Sequence, residues 1–195
     1  MKFFLSILLI LFIQNSAKSG QINIFQLEGV SVGESLLSHY DLSNIKKKII
    51  NKVTFPKSDK FYRIAFKSKK NKYDYLAYYL KKDDQNFTVY SAEGLKYMNY
   101  SNCKKKMNSI KGNLENILSS DYEILNKEEP HTFDKDKKSI VKEIQFIDIN
   151  DKHNISANIT CTDWSKQFEK KGYYDSLALY LNSKEFSYFM FFEAY

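Results

Sequence analysis

Residues able to do chemistry are few in this 195-residue chain, and they are scattered. Cys103 and Cys161 are its only cysteines. They are too far apart for the close C-x-x-C spacing that poises a redox thiolate, and an even count in a chain read as exported is the setting for a disulfide. A structural disulfide between Cys103 and Cys161 is therefore expected. The histidines, His39, His131 and His153, have no neighbours at metal-ligand spacing, whereas zinc takes three or four convergent donors, so no metal is predicted. No serine sits in a G-x-S-x-G elbow, and six glycines leave little material for a phosphate-cradling loop, so no cofactor is predicted either. Asp83-Asp84 and Glu128-Glu129 fall in predicted turns, where carboxylates lack the contrasting, buried environments that acid–base pairs use. No catalytic residue emerges, and an enzyme is unsupported.

Compartment is better marked. Met1-Lys2, the apolar run Phe3 to Ile13 and the small, polar stretch Gln14 to Gly20 read as a secretory signal peptide over residues 1–19, with cleavage after Ala17 or Ser19. The run is shorter than the ~20 residues a membrane span needs. A periplasmic or secreted product with no stable membrane span after leader cleavage is expected. Residues 20–195 are read as a single domain, since about 176 residues suit one core. The net charge of +7 is carried almost wholly by lysine, Arg63 being the one arginine. Phosphate and base recognition favour the planar arginine fork, so no nucleic-acid partner is expected. Four Asn-x-Ser/Thr triplets, at Asn86, Asn99, Asn154 and Asn158, read as chance in an Asn-rich chain.

The elements that would position these residues follow from periodicity. Ser31 three residues before Glu34 is a capping-box arrangement, predicting a helix from about Val32 with Val32, Leu36, Leu37 and Tyr40 on one face. A second helix, capped by Asp41 or Ser43, would bury Leu42, Ile45, Ile49, Ile50 and Val53. Strands are predicted at Phe61 to Phe66, Tyr73 to Leu80 and Phe87 to Ala92, with Glu93 to Tyr100 as a connection. Cys103, Met107, Ile110, Leu114 and Ile117 predict a third helix from Asn102 to Leu118, capped by Ser101, and residues 119–138 read as a surface loop. Strands at Ile140 to Ile149 and Ile155 to Cys161 form a hairpin, followed by a helical turn around Trp164 and Phe168. Tyr173 to Leu181 and Glu185 to Phe192 read as a terminal hairpin, the latter a central strand buried on both faces. An outer-membrane barrel does not fit this ending, because Glu193 breaks the alternation before Tyr195.

Gly29-Val30-Ser31-Val32-Gly33-Glu34-Ser35-Leu36-Leu37, followed by a helix and antiparallel strands, resembles the opening of small outer-membrane assembly lipoproteins and of β-lactamase-inhibitor-like proteins. The resemblance implies a helix pair on an antiparallel sheet, in tandem in the inhibitors. The leader, the same stretch and the Tyr-rich strands also resemble uncharacterised exported proteins of AT-rich marine bacteria, which implies no activity. The expected fold is α+β, with helices on one face of a mainly antiparallel sheet. A tandem of two helix-plus-meander units, 20–98 and 99–195, stays open. Tyr73 to Leu80 matches Tyr174 to Leu181 at six of eight positions, an echo read as coincidence. Two functions are carried forward. One is a non-enzymatic module binding another envelope protein; the other is a small hydrolase or small-ligand-binding protein with a pocket between helices and sheet.

Overall fold

The computed structural model describes residues 26–118 and 121–195, so the predicted leader lies outside the described residues. A two-stranded hairpin, β1 (Gln26–Leu27) and β2 (Val30–Ser31), precedes a 3-10 turn at Leu36–Ser38 and helix α1 (Leu42–Ile49). Strands β3 (Val53–Thr54), β4 (Phe61–Lys67), β5 (Tyr75–Lys81) and β6 (Val89–Tyr97) follow, then α2 (Tyr100–Ile117). The second half runs β7 (Tyr122–Pro130), β8 (Ile140–Asp148), β9 (Asp151–Asp163), α3 (Lys166–Glu169), β10 (Ser176–Asn182) and α4 (Lys184–Phe192). Eight strands make one antiparallel sheet in the order β3-β4-β5-β6-β10-β9-β8-β7. The fold is thus α+β with an antiparallel sheet. Its centre is the pairing of β6 with β10, from Tyr97 opposite Ser176 to Ser91 opposite Asn182.

Strand side chains alternate between faces, and each face has its own core. Tyr62, Ile64 and Phe66 of β4, Leu76, Tyr78 and Leu80 of β5, Leu177, Leu179 and Leu181 of β10 and Ile159 and Cys161 of β9 pack with Ile45 of α1 and Cys103, Met107 and Leu114 of α2. A smaller cluster joins Phe61 of β4 to Phe186 and Phe189 of α4, with Ala194, Phe55, Tyr79 and Tyr90. Because Phe61 and Tyr62 point to opposite faces, α4 lies across the sheet from α1 and α2. The helices therefore divide between the faces instead of sharing one. The apolar content of α4 is too great for solvent, and Phe61 gives it a second surface to cover.

Several expected elements change. The capping box at Ser31 and Glu34 forms only in part: the Ser31 amide donates to Glu34 Oε2 at 3.2 Å, but no α-helix follows. The Gly33 amide instead donates to the Val89 carbonyl and the Leu36 amide to that of Phe87, while the Val89 amide donates to Glu34. Gly33 holds a φ of +90°, a left-handed conformation that suits glycine and ends helical continuation. Pairing to β6 thus outcompetes the local helix. In α1 only Ile45 is buried, and Ile50 is 81% exposed because the helix stops at Ile49 and Val53 enters β3. Strand β6 continues through the expected connection to Tyr97, with the Tyr73 ring lying so close over Gly94 that a Cβ there would come within 2.6 Å of it. The cap of α2 is Asn99, whose side-chain oxygen accepts from the Asn102 amide at 2.9 Å, two residues earlier than expected.

Two further corrections bear on the site. Residues 122–130 form edge strand β7, paired residue for residue with β8 from Tyr122 opposite Asp148 to Pro130 opposite Ile140. Its acidic and basic side chains suggested a loop, but charge is also how exposed sheet edges avoid pairing with other chains. Residues Lys184–Phe192 are a helix, not a strand. Ser183 Oγ accepts from the Phe186 amide at 3.1 Å, Glu185 sits in the first turn, and Phe186 and Phe189, three apart, enter the same cluster. The aromatic β-propensity of the run loses to a cap and to packing.

Candidate binding face

The residues singled out for chemistry do not converge. Cys103 of α2 and Cys161 of β9 are both fully buried and form a disulfide, with Cα atoms 5.8 Å apart. It ties α2 to the sheet and is enclosed in the larger core. His39 Nε2 meets Glu34 Oε2 at 3.1 Å, His131 packs on Trp164, and His153 lies among Tyr188, Phe191 and Phe192, so the three are on different parts of the molecule. Among the described residues no group of three or more His, Cys, Asp or Glu is placed to hold a metal ion. Asp84 accepts from the Asn86 and Thr88 amides and so shapes its turn, and Glu128 pairs with Lys142. Asn154 is buried with its Nδ2 donating to Asp148 Oδ2, which leaves it unable to carry a glycan.

What the fold does build is a trough on the α4 face of the sheet. Helix α4 covers one end of the strands, near Asn182, while the other end, near Tyr97 and Ser176, carries no helix on this face. The open space between encloses about 450 Å³. Its floor includes Tyr79, Tyr180, Asn158, Thr160 and Glu143, which alternate with core residues along β5, β10, β9 and β8. Phe186, Met190, Phe191 and Tyr195 wall one side, and His131 and Thr132, just past β7, the other. Ser187 Oγ donates to the Ile155 carbonyl at 2.8 Å, and Tyr188 and Lys184 both bond Asp151 Oδ2, so α4 is pinned at three points.

Beside the floor lies a part-buried charged pair, with Glu93 enclosed and Arg63 more open. Arg63 Nε donates to Glu93 Oε2 at 2.8 Å, and the Tyr79 hydroxyl donates to the same oxygen at 3.1 Å. Burial works against the Arg63 charge, but Glu93 outweighs it and keeps the guanidinium protonated. Burial first, and then the Glu93 charge, push the Tyr79 and Tyr180 hydroxyls well above the usual phenol range. Both are neutral phenols at physiological pH, able to hydrogen-bond but not to act as bases or nucleophiles. His131 Nδ1 accepts from the Phe133 amide at 3.1 Å, and Ser187 Oγ is already committed to a carbonyl, so neither is set up as half of a nucleophile–base pair. Asn158 Oδ1, on the floor, is shielded from solvent and has no hydrogen-bond partner among the described residues.

The uncovered end of the strands is rimmed by rings. Tyr97 contacts Tyr75 at 6.2 Å and Tyr174 at 5.5 Å between centroids, and the three are 44%, 41% and 61% exposed. Trp164 continues the rim, with His131 at 4.2 Å, Tyr173 at 4.8 Å and Phe168 at 5.2 Å. Sequence reasoning placed the strands but not this belt, nor the Arg63–Glu93 pair. One signal was present: Arg63 sits between Phe61 and Ala65, on the strand face opposite Tyr62 and Ile64. Comparison of the chain with protein-family models, curated proteins and solved structures found no match.

Proposed function

We propose that the protein is an exported, non-catalytic module that holds another envelope protein against the open face of its sheet. The belt formed by Tyr75, Tyr97, Tyr174 and Trp164 carries this reading. Exposed, mutually braced tyrosines, with half-buried Trp164 as a further ring, offer large rigid contact area at low entropic cost, the composition of interface hot spots. The trough beside them supplies a concave surface into which a partner's side chain can fit. Export is supported by the leader pattern and by the Cys103–Cys161 disulfide, which persists in oxidising compartments. No helix among the described residues is long and apolar enough to cross a membrane.

The sheet order also supports a tandem reading, in which a helix followed by β3 to β6 and a helix followed by β7 to β10 are two units meeting at β6 and β10. In that reading β5 corresponds to β9, whereas the sequence echo pairs β5 with β10. The echo therefore does not derive from the repeat. It reflects two strands that both flank β6 and face similar surroundings.

Affinity capture from the native envelope tests the function, run in parallel with the Tyr97→Ser/Tyr174→Ser variant. One partner should co-purify with the native chain and be lost by at least about tenfold with the variant, since a hot-spot residue carries about 2 kcal/mol or more. Recovery of the monomer alone, or equal capture by the variant, would sink the proposal.

A further inference from the structure

A second cavity, of about 330 Å³, lies on the other face of the sheet. Helix α1 packs over β4, α2 over β9 and β10, and the β1–β2 hairpin over β6, which leaves a gap between hairpin and α2 above the central strands. Its walls are Leu27, Tyr73, Met98, Leu177, Leu179 and Leu181, with Ile110, Leu114 and Ile117 along one flank of α2. The only other lining residues described are Gln26, Asn113, Lys72, Lys96 and Lys106. The cavity is thus apolar in depth, has three ammonium groups and two amides, and no carboxylate among its described lining residues.

The charge is available. Lys96 pairs with Asp74 at 2.9 Å, but exposed Lys72 and Lys106 have no ion-pair partner among the described residues. The nearby carboxylates are occupied: Asp74 also accepts from the Tyr97 amide, and Glu28 accepts from Ser68 Oγ and the Lys70 amide. The Tyr73 hydroxyl, pushed up to about 12 by burial and by Glu28, stays neutral. We propose that this cavity between α2 and the central strands binds a single-chain amphiphile with an anionic head, its alkyl chain against Leu177, Leu179 and Leu181 and its head among Lys72, Lys96 and Lys106. The volume is that of a small-ligand site, and an apolar chamber with a few polar groups at fixed places is the usual form of one. A cationic head meets only like charge from the three lysines, a neutral head forgoes the ammonium pairing, and a shorter chain leaves apolar wall uncovered. The site is on the face opposite the aromatic belt and does not depend on it.

Calorimetric titration of the purified full chain with sodium dodecanoate, alongside dodecanol, tests this. Saturable one-to-one binding of dodecanoate is expected, weakening about fourfold for each methylene removed. Lys72→Glu/Lys106→Glu should weaken dodecanoate about tenfold and leave dodecanol within about twofold. Ile110→Trp, which fills the chamber from α2, should abolish both, and Asn113→Trp serves if that variant fails to fold. Absence of saturable binding overturns the proposal, as does equal affinity for acid and alcohol or undiminished binding by the tryptophan variants. Sedimentation with anionic phospholipid vesicles without dodecanoate binding would place the lysines on a membrane surface and overturn it as well. So would dodecanoate binding that appears only after removal of the residues before Gln26, which would make the chain itself the occupant.

Discussion

The Arg63–Glu93 pair shows how far one pair of residues constrains this face. Glu93 is almost fully buried and accepts from both Arg63 and Tyr79. Removing one member strands a charge, while removing both does not. Arg63→Ala, which strands the buried Glu93, is therefore expected to cost about 3–5 kcal/mol, and Arg63→Met/Glu93→Leu much less, as read from urea midpoints in a double-mutant cycle. His131 offers a spectroscopic handle, because its ring lies 4.2 Å from that of Trp164, the chain's one tryptophan. Burial lowers its pKa from the ordinary ~6.5, with Asp134 opposing. A histidine depressed in the folded state supports folding above its ordinary pKa, and that support is lost as pH falls through the folded value. Trp164 fluorescence should thus titrate with a midpoint below ~6.5, and His131→Phe should flatten the curve.

Helix α4 is the element on which the trough depends. It forms one wall and is held at its start by Asp151, which accepts from Lys184 and Tyr188. Those bonds, Lys184 first, hold the Asp151 carboxyl down to about 2. A depressed carboxylate contributes above its ordinary pKa of ~3.9 and is lost as pH falls through the folded value. Amide exchange in α4 should stay slow at pH 4 and accelerate only between about pH 4 and 2, and Asp151→Asn should make it fast throughout. Residues 185–192 were read from the sequence as a strand only. The dense aromatic run with strand propensity carried that reading, and Ser183, taken as part of a hairpin turn, is instead the helix cap, with Glu185 in the first turn. Edge strand β7 was missed for the converse reason: its pairing partner, β8, is specified at a distance, and its charges belong equally to a loop.

At the scale of the molecule, the disulfide closes the second half. It links residues 58 apart, bridging α2 to β9 across the intervening strands β7 and β8. In the chain-entropy model a loop of this size contributes about 4 kcal/mol. Cys103→Ser/Cys161→Ser should unfold at correspondingly lower urea, and the native chain should show no alkylatable thiol before reduction. Because the two cores lie on opposite faces, the loss should fall on α2 and the larger core, leaving the α4 cluster to report separately by amide exchange.

The sequence by itself determined what local periodicity and composition can encode: strands β4, β5, β8, β9 and β10, the α2 stripe of Cys103, Met107 and Leu114, and the inward facing of both cysteines. These follow from spacings of two and of three or four residues, which act within a single element. Only the tertiary structure decided that Gly33 bonds to Val89 of β6 and Leu36 to Phe87 just before it and not into an α-helix, that residues 122–130 pair as an edge, and that α4 covers a second face. The trough, the aromatic belt and the α2 cavity belong to the same class. Each is assembled from residues tens of positions apart, brought together by strand register and by the side of the sheet each helix covers, neither of which is written in local pattern.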